Sequence, residues 1–450
     1  NVVRIAEPYK GSPADLAGLK IGDKIVAIDG KTAIGIGSDK VSSMLRGEPN
    51  TTVKVSVQQI TDDKIVTHKI RRQRIAIPSV SFADYVAPGV GYIIHSDFTD
   101  DCYTEMRAAI ERLQSKGKLE KLILDYRSNG GGVLQSAVKV LSLFVPKGTM
   151  VVEMRGRGKR ESKSFYTDIE PLLPNIPLVV LIGESSASAA EIVSGALQDL
   201  DRAVVMGSRS FGKGLVQTTL PIGYESYAKL TTAKYYIPSG RCIQAVRYSD
   251  KGKAESVPDS LITEYTTAAG RKVYDGGGIM PDSKVAPEYV SNFAVTLYLM
   301  GLIDDFGDDY YRRHADMTID PRTFSITDED YADFTKFVEG REIPYKSESR
   351  RAVEKLRKSL ESERYDDKVL TAAMESIENG LKDDKMSNLK TYKQEIIQTI
   401  NANIVLRYCY AEGRTAHTLN YDKGVKAAIE MLANPTEMER ILKEQDTARK

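Results

Sequence analysis

The chain lacks the features on which several large classes of protein depend. It has no tryptophan, and it has only three cysteines and four histidines among 450 residues. Its 63 basic and 62 acidic side chains leave a formal net charge of +1, so no strong field is available to attract nucleic acid or an anionic membrane. No apolar run reaches the roughly 18 residues that indicate a transmembrane helix. The remaining composition, 41% apolar and 28% charged, is typical of a globular protein.

The cysteines and histidines are too scattered to predict a metal site or a disulfide framework. Cys102, Cys242 and Cys409 are far apart and odd in number, which indicates neither paired disulfides nor a zinc motif. The histidines are equally dispersed: His68, His95, His314 and His417. We therefore expect no metal and no other cofactor, and no histidine lies near the motifs described below.

Length and composition predict three domains, because a domain has about 150 residues on average. The pattern of residues 1–60 indicates a small α/β module. Residues 73–290 alternate between predicted strands and helices, which is typical of βαβ units with a mostly parallel sheet. Residues 291–450 are rich in charge and carry apolar side chains at helical spacing, which predicts a helical C-terminal domain. The chain begins at Asn1 without an initiator methionine or a signal peptide, so its compartment cannot be read directly.

The first module has the turn pattern of a known peptide-binding domain. Ser12-Pro13-Ala14 opens a short helix, Gly22-Asp23 turns into the strand Lys24–Ile28, and Asp29-Gly30 is a hairpin signal. This order resembles a PDZ domain of the bacterial protease type. Such domains bind an extended C-terminus by β-augmentation, with backbone amides holding the carboxylate. That carboxylate loop normally precedes the strand at which this chain begins, so the resemblance is to a PDZ domain without its first part.

Ser188 is the first candidate for chemistry. It follows a buried strand and precedes a helical stripe of apolar residues, which places it at a helix N-terminus. A serine there is commonly only an N-cap. A nucleophilic serine could occupy the same place, because helix N-terminal amides stabilise negative charge.

A serine hydroxyl needs a base, and the nearest candidate is a lysine. Lys213 stands between two glycines and ahead of a predicted strand. A lysine acts as a base only when burial lowers its pKa toward neutrality. Because alternate strand residues share a face, Lys213, Leu215 and Gln217 are expected to point together, with Gln217 orienting the lysine and Leu215 excluding water. The alternative is a surface lysine in a hairpin.

Two glycine motifs leave further alternatives. Asn129-Gly130-Gly131-Gly132 follows a buried strand, and its amides would suit an oxyanion hole, a nucleotide phosphate or a ligand-free tight turn. Gln135 replaces the third glycine of a dinucleotide fingerprint. The stretch from Gly207 to Lys213 has Walker A spacing, but Gly214 replaces the required Ser or Thr and a strand follows instead of a helix, so the NTPase alternative is disfavoured.

Together these motifs resemble one family, the carboxy-terminal processing peptidases or tail-specific proteases, which have a crotonase-like core. The resemblance covers roughly residues 1–290. The matching stretches, in order, are Asp125-Tyr126-Arg127-Ser128-Asn129-Gly130-Gly131-Gly132, Ser186-Ala187-Ser188-Ala189-Ala190-Glu191-Ile192, Gly195-Ala196-Leu197-Gln198-Asp199, Phe211-Gly212-Lys213-Gly214 with Gln217, and Gly278-Ile279-Met280-Pro281-Asp282.

The resemblance implies a serine endopeptidase that cuts proteins held by their C-terminal tails. Ser188 would be the nucleophile, Lys213 the general base and Gln217 the residue that orients the lysine. Ala189 and Gly132, or a neighbour of this glycine, would supply the oxyanion hole. The family's usual setting implies a bacterial periplasm or envelope, and helical extensions of this kind imply a homo-oligomer or a gate. A catalytically inactive scaffold that binds protein tails and an acyl-CoA enzyme on the same core remain as alternatives.

Overall fold

A computed structural model of the chain describes residues 2–158, 162–248, 253–365, 368–381 and 384–443. By spatial contact the chain forms two compact units, each made of two separate stretches. The first unit joins residues 1–76 to residues 289–421, and the second joins residues 77–288 to the chain from residue 422 onward. The three predicted domains are consecutive ranges of the sequence, whereas each of these units combines two separate ranges. The domain boundaries therefore stay a prediction.

The N-terminal part of the first unit is a small sheet with two helices. Its elements are α1 (Pro13–Leu16), β1 (Lys24–Ile28), β2 (Lys31–Thr32), α2 (Ser38–Leu45), β3 (Thr52–Gln58) and β4 (Ile65–Arg71). The strands form one antiparallel sheet in the order β2-β1-β3-β4. Val53, Val55 and Val57 alternate inward along β3 and are nearly inaccessible to solvent, as expected for a strand with one buried face. The sheet continues past residue 60, because β4 pairs with β3 over its whole length.

The second unit is built on a six-stranded, mostly parallel sheet. Its elements up to the middle of the core are β5 (Val80–Ala87), β6 (Val90–His95), α3 (Cys102–Lys116), β7 (Lys121–Asp125), α4 (Leu134–Leu141), β8 (Met150–Gly156), β9 (Lys163–Tyr166), β10 (Leu178–Ile182) and α5 (Ala189–Asp199). Those that follow are β11 (Val204–Gly207), β12 (Leu215–Gly223), β13 (Ser226–Tyr236), β14 (Val246–Tyr248), β15 (Ala254–Ser256), β16 (Glu264–Thr266), β17 (Lys272–Tyr274) and β18 (Ser283–Lys284).

The order of this sheet is β18-β11-β10-β7-β6-β5, and every pairing except β5 with β6 is parallel. This confirms the mixed α/β architecture predicted from the alternation of strands and helices. The middle of β7, Leu122–Leu124, and all of β10 are apolar because parallel strands of this kind are covered on both faces. A second, four-stranded sheet has the order β12-β13-β8-β9, and its β12–β13 ribbon is largely exposed to solvent.

The helical stretch of the first unit follows the core in sequence. It comprises α6 (Asn292–Leu299), α7 (Leu302–Arg313), α8 (Asp328–Glu339), α9 (Glu348–Ser362), α10 (Lys368–Gly380), α11 (Lys385–Thr391) and α12 (Lys393–Thr418). Helix α12 is kinked at Tyr410, whose φ is 58°. Within this unit, Glu7 accepts the Ala411 N–H just beyond the kink and Asp15 accepts the Tyr410 hydroxyl. Among the described residues, every helix is too short or too polar to cross a lipid bilayer.

The last two helices, α13 (Lys423–Ala433) and α14 (Pro435–Lys443), pack on the core of the second unit. Val180 and Ile182 of β10 point into the main core cluster, so Val179 and Leu181 point to the opposite face by strand alternation. Both are fully buried, and α13 packs against β10 and β11. The C-terminal segment therefore helps to cover one face of the parallel sheet.

Candidate active site

Ser188 lies where the sequence places it, at the N-cap of α5 directly after the buried strand β10 and its turn. Its backbone is unusual, with φ 57° and ψ −114°. A non-glycine residue in such a region costs about 1–3 kcal/mol and persists only when its surroundings enforce it. Strain of this kind clusters at functional sites, and here it falls on the serine that the sequence selected.

A buried carboxylate enforces this conformation. Glu191, in the first turn of α5, is fully buried. Its Oε2 accepts the backbone N–H of Ser188 at 2.9 Å and that of Lys213 at 2.7 Å. Its Oε1 accepts the Ser210 hydroxyl at 2.5 Å and the Gly212 N–H at 2.7 Å. One side chain thus fixes the backbones of both residues of the predicted dyad.

Burial and hydrogen bonding shift the pKa of Glu191 in opposite directions. Burial raises the pKa of Glu191 above its ordinary value, although its hydrogen bonds with Ser210, Lys213, Ser188 and Gly212 act to lower it. Sequence reasoning did not single out this glutamate as a functional residue. The signal was present as a capping-box spacing, a serine followed three residues later by a glutamate.

The glycine loop lies against Ser188. Gly131 has φ 102°, and a Cβ built there would stand 2.7 Å from the Ser188 Cβ and 3.0 Å from the Ala189 nitrogen. Gly132 has φ 142°, and a Cβ there would stand 2.3 Å from the Phe98 carbonyl oxygen. Both positions therefore require glycine, because neither the backbone conformation nor the space admits a side chain.

The loop is held by hydrogen bonds that leave two amides available. Asn129 accepts the Gly131 N–H at 2.8 Å through its side chain, and its carbonyl accepts the Ala187 N–H at 3.0 Å. In the part of the chain that the structure describes, neither the Ala189 N–H nor the Gly132 N–H donates to a protein acceptor. The structure therefore brings Ser188, Ala189 and the glycine loop together, with two unengaged amide donors among them.

The expectation of a dry lysine pocket is wrong for this structure. Lys213 and Gln217 are exposed, and within the described ranges the Lys213 ammonium has no hydrogen bond or ion pair. Lys213 precedes β12, which begins at Leu215, so the assumed strand alternation does not reach it. The β12–β13 ribbon also leaves the core, and most of its side chains are therefore exposed. Gln217 makes no hydrogen bond with Lys213. The strand predicted after Lys213, which argued against an NTPase loop, is confirmed as β12.

The histidines and metal-binding residue types do not converge on the site. His95 is buried against Phe98 and Tyr126, and burial lowers its pKa to about 4. Across the described residues no histidine hydrogen-bonds to Ser188, and no group of three or more histidine, cysteine, aspartate or glutamate side chains could hold a metal ion.

Three domain models match consecutive parts of the chain. A PDZ domain matches residues 4–59, peptidase family S41 matches residues 89–250, and the C-terminal helical domain of a probable PDZ-protease matches residues 293–432. Ser188, Lys213 and the glycine loop all lie inside the S41 match.

Two curated relatives agree with these models. A carboxy-terminal-processing protease of Bartonella bacilliformis is 38% identical over 249 residues, covering 55% of this chain and 57% of that protein. A probable CtpA-like serine protease of Staphylococcus aureus is 37% identical over 242 residues, covering 54% of this chain and 48% of that protein. A photosystem II D1 C-terminal processing protease structure is 28% identical, covers 64% of this chain and 70% of that chain, and has a TM-score of 0.37.

The chain thus matches about half the length of the curated relatives. The order of its PDZ, S41 and helical matches is also the order expected from the motifs. With a relative at 38% identity over 249 residues, these matches support a CtpA-like family of carboxy-terminal-processing proteases.

Proposed function

We propose that the chain is a serine endopeptidase in which Ser188 is the nucleophile and Lys213 the general base. The observation that carries the proposal is Glu191, a single carboxylate whose Oε2 accepts the backbone N–H groups of both residues. We further propose that the parallel sheet of the second unit is a crotonase-like core, and that no cofactor takes part.

The proposed reaction uses these residues as follows. The Ser188 hydroxyl oxygen attacks the peptide carbonyl carbon while its proton passes to the neutral amine of Lys213. The amides of Ala189 and Gly132 hold the resulting oxyanion, which is the charge that develops in the transition state. The protonated lysine then gives its proton to the leaving amine, and water hydrolyses the acyl-enzyme by the reverse sequence. Gln217 would orient the lysine once substrate or a rearranged ribbon covers it.

The exposure of Lys213 and Gln217 favours a second candidate, a catalytically inactive scaffold that binds protein tails. The test is a time course with a disordered protein substrate at substoichiometric enzyme. A peptidase converts many substrate molecules per chain and is labelled by a serine-directed fluorophosphonate. A scaffold binds the substrate but leaves it intact, and it is not labelled.

Recognition of free C-termini is a separate part of the proposal, since a PDZ-like module that binds by β-augmentation selects a free C-terminus only if it also holds the terminal carboxylate. We expect a substrate with an amidated C-terminus to show a KM at least about tenfold higher, with kcat within about twofold, because uniform binding is lost and the chemistry is retained. Equal KM values for the free acid and the amide would mean that the chain cleaves without tail recognition.

Glu191→Gln is expected to lower kcat/KM by about 100-fold, because an amide cannot accept four hydrogen bonds and leaves buried donors unsatisfied at about 1–3 kcal/mol each. The melting temperature should fall as well. The matched control is Ser194→Ala on the same helix, which removes a buried hydroxyl bonded only to carbonyls of α5 and should keep near-normal activity. Wild-type activity in Glu191→Gln would contradict the proposal that Glu191 holds the backbones of Ser188 and Lys213 in place.

Glu191 also predicts the acid limb of the pH profile. Because its pKa is raised by burial, the carboxylate takes up a proton at a higher pH than an ordinary glutamate as the solution is acidified. The protonated acid donates where it should accept, so activity should fall on the acid side. If this fall in activity on the acid side is absent from the pH profile of Glu191→Gln, it is assigned to protonation of Glu191.

Two further parts of the proposal concern setting and assembly. The curated relatives are bacterial proteins, and we place the chain at a bacterial envelope on the family resemblance. Helices α9 and α10 leave Leu356, Val369 and Ile377 exposed, and we propose that this helical region forms a homo-oligomer. Cell fractionation and the solution mass of the purified chain test these two points, and a cytoplasmic or monomeric protein would overturn them respectively.

A further inference from the structure

Arg127 links the start of the glycine loop to the C-terminal segment of the chain. Its guanidinium donates to Asp125, at the end of β7, with Nη2 2.5 Å from Oδ2 and Nε 2.9 Å from the same oxygen. On its other side it makes a bidentate pair with Asp422, with Nη1 2.9 Å from Oδ1 and Nη2 2.6 Å from Oδ2. One cation therefore joins two carboxylates that lie almost 300 positions apart in sequence.

The carboxylates are themselves fixed. Asp125 is buried and accepts the Tyr92 hydroxyl at 2.6 Å and the Arg127 backbone N–H at 2.9 Å. Asp422 is the N-cap of α13 and accepts the Val425 N–H at 2.9 Å. A Cβ at Gly424 would stand 2.8 Å from Nη1 of Arg127, so the guanidinium packs directly on the first turn of that helix.

This arrangement is favourable in the charged state. Burial by itself would raise the pKa of Asp422, but the hydrogen bonds and charge of Arg127 lower it below its ordinary value. Bidentate pairs between arginine and carboxylate fix direction as well as distance. The guanidinium of Arg127 is therefore held on both sides by carboxylates.

The chain beyond Arg127 leads directly to the proposed oxyanion donors. The Arg127 backbone is tied to Asp125, and Asn129 is tied to the Tyr126 and His95 carbonyls. Two residues later, Gly131 and Gly132 lie against Ser188 and Phe98. The glycine loop thus begins two residues after Arg127, whose side chain is held by Asp422 of the C-terminal segment.

We infer that Asp422 is a positioning residue for the glycine loop: through Arg127 it holds the loop in the geometry that stabilises the oxyanion, which makes the segment from residue 422 part of the catalytic unit. This inference rests on the proposed function. It predicts that loss of the Asp422 charge weakens transition-state binding more than substrate binding.

The test is Asp422→Asn in the full chain, because asparagine retains N-cap ability while removing the charge. We expect kcat to fall about tenfold with KM within about twofold, which is the pattern of an interaction made in the transition state. The affinity for a peptide aldehyde, which forms an oxyanion on Ser188, should fall by the same factor, because transition-state analogues follow the stabilisation of the transition state. The affinity for a cleaved product peptide should not change.

The matched control is Lys423→Ala, which removes an exposed ion pair with Glu288 in the same turn and leaves Arg127 in place. It should keep wild-type kcat and aldehyde affinity. Asp422→Ser is the second variant if Asp422→Asn does not fold. Equal losses for aldehyde and product peptide, or unchanged kinetics in Asp422→Asn, would overturn the inference.

Failure of this inference is distinguishable from failure of the proposed function. If the wild-type chain cleaves no substrate, the proposed function fails, and hydrogen exchange of residues 127–132 still tests the contact. Faster exchange of that loop in Asp422→Asn than in Lys423→Ala supports positioning. Identical exchange in the two variants, together with unchanged aldehyde affinity, contradicts it.

Discussion

Ser188→Ala is expected to abolish cleavage of a disordered protein substrate and labelling by a fluorophosphonate, while the chain stays folded. Alanine removes the only atom that can form the acyl-enzyme and leaves the apolar face of α5 intact. The loss of stability should be no larger than that of a lost N-cap, about 0.5–2 kcal/mol. Cleavage by Ser188→Ala at the wild-type rate would show that the nucleophile is assigned wrongly.

Ser188→Gly separates the chemistry from the fold more sharply. The φ of 57° at Ser188 strains any side-chain-bearing residue, and glycine adopts it without that cost. We therefore expect Ser188→Gly to be as inactive as Ser188→Ala but to melt at a higher temperature than Ser188→Ala. A glycine variant that melts lower than the alanine variant would mean that the strained backbone is not what the solution structure contains.

Lys213→Arg is expected to lose nearly all activity, as Lys213→Ala should. A guanidinium keeps the positive charge but stays protonated at any working pH, since its pKa exceeds about 12, so it cannot accept the serine proton. The matched control is Lys229→Arg, at another exposed position on the β12–β13 ribbon, which should be neutral. Substantial turnover by Lys213→Arg would mean that Lys213 contributes only its positive charge and is not the general base.

The pH profile and two further sets of variants complete this test. In the free enzyme, kcat/KM should rise with pH, because a general base works only in its unprotonated form. Gln217→Ala should weaken activity less than either loss in the dyad, because it removes orientation and leaves the chemistry in place. The rise should survive replacement of each histidine in turn, and an indispensable His68, His95, His314 or His417 would favour a hidden triad.

The sequence predicted the candidate catalytic residues and most of the elements that carry them. Alternation of apolar runs with helical stripes predicted the parallel sheet, because a strand covered on both faces must be apolar throughout. The glycine loop was predictable because consecutive glycines after a buried strand are typical of a backbone that must approach another atom closely. The N-terminal position of Ser188 on α5 followed from the apolar stripe behind it.

The tertiary structure alone decided how these residues meet. Pairing of Glu191 with Ser188 is local in sequence, but its contact with Lys213 depends on where the loop before β12 returns to the core. Strand periodicity could not reveal that the β12–β13 ribbon leaves the core and exposes Lys213, because alternation predicts which residues share a face and not what covers that face. The bond between Arg127 and Asp422 joins positions far apart in the chain, and only packing of α13 on the sheet brings them together.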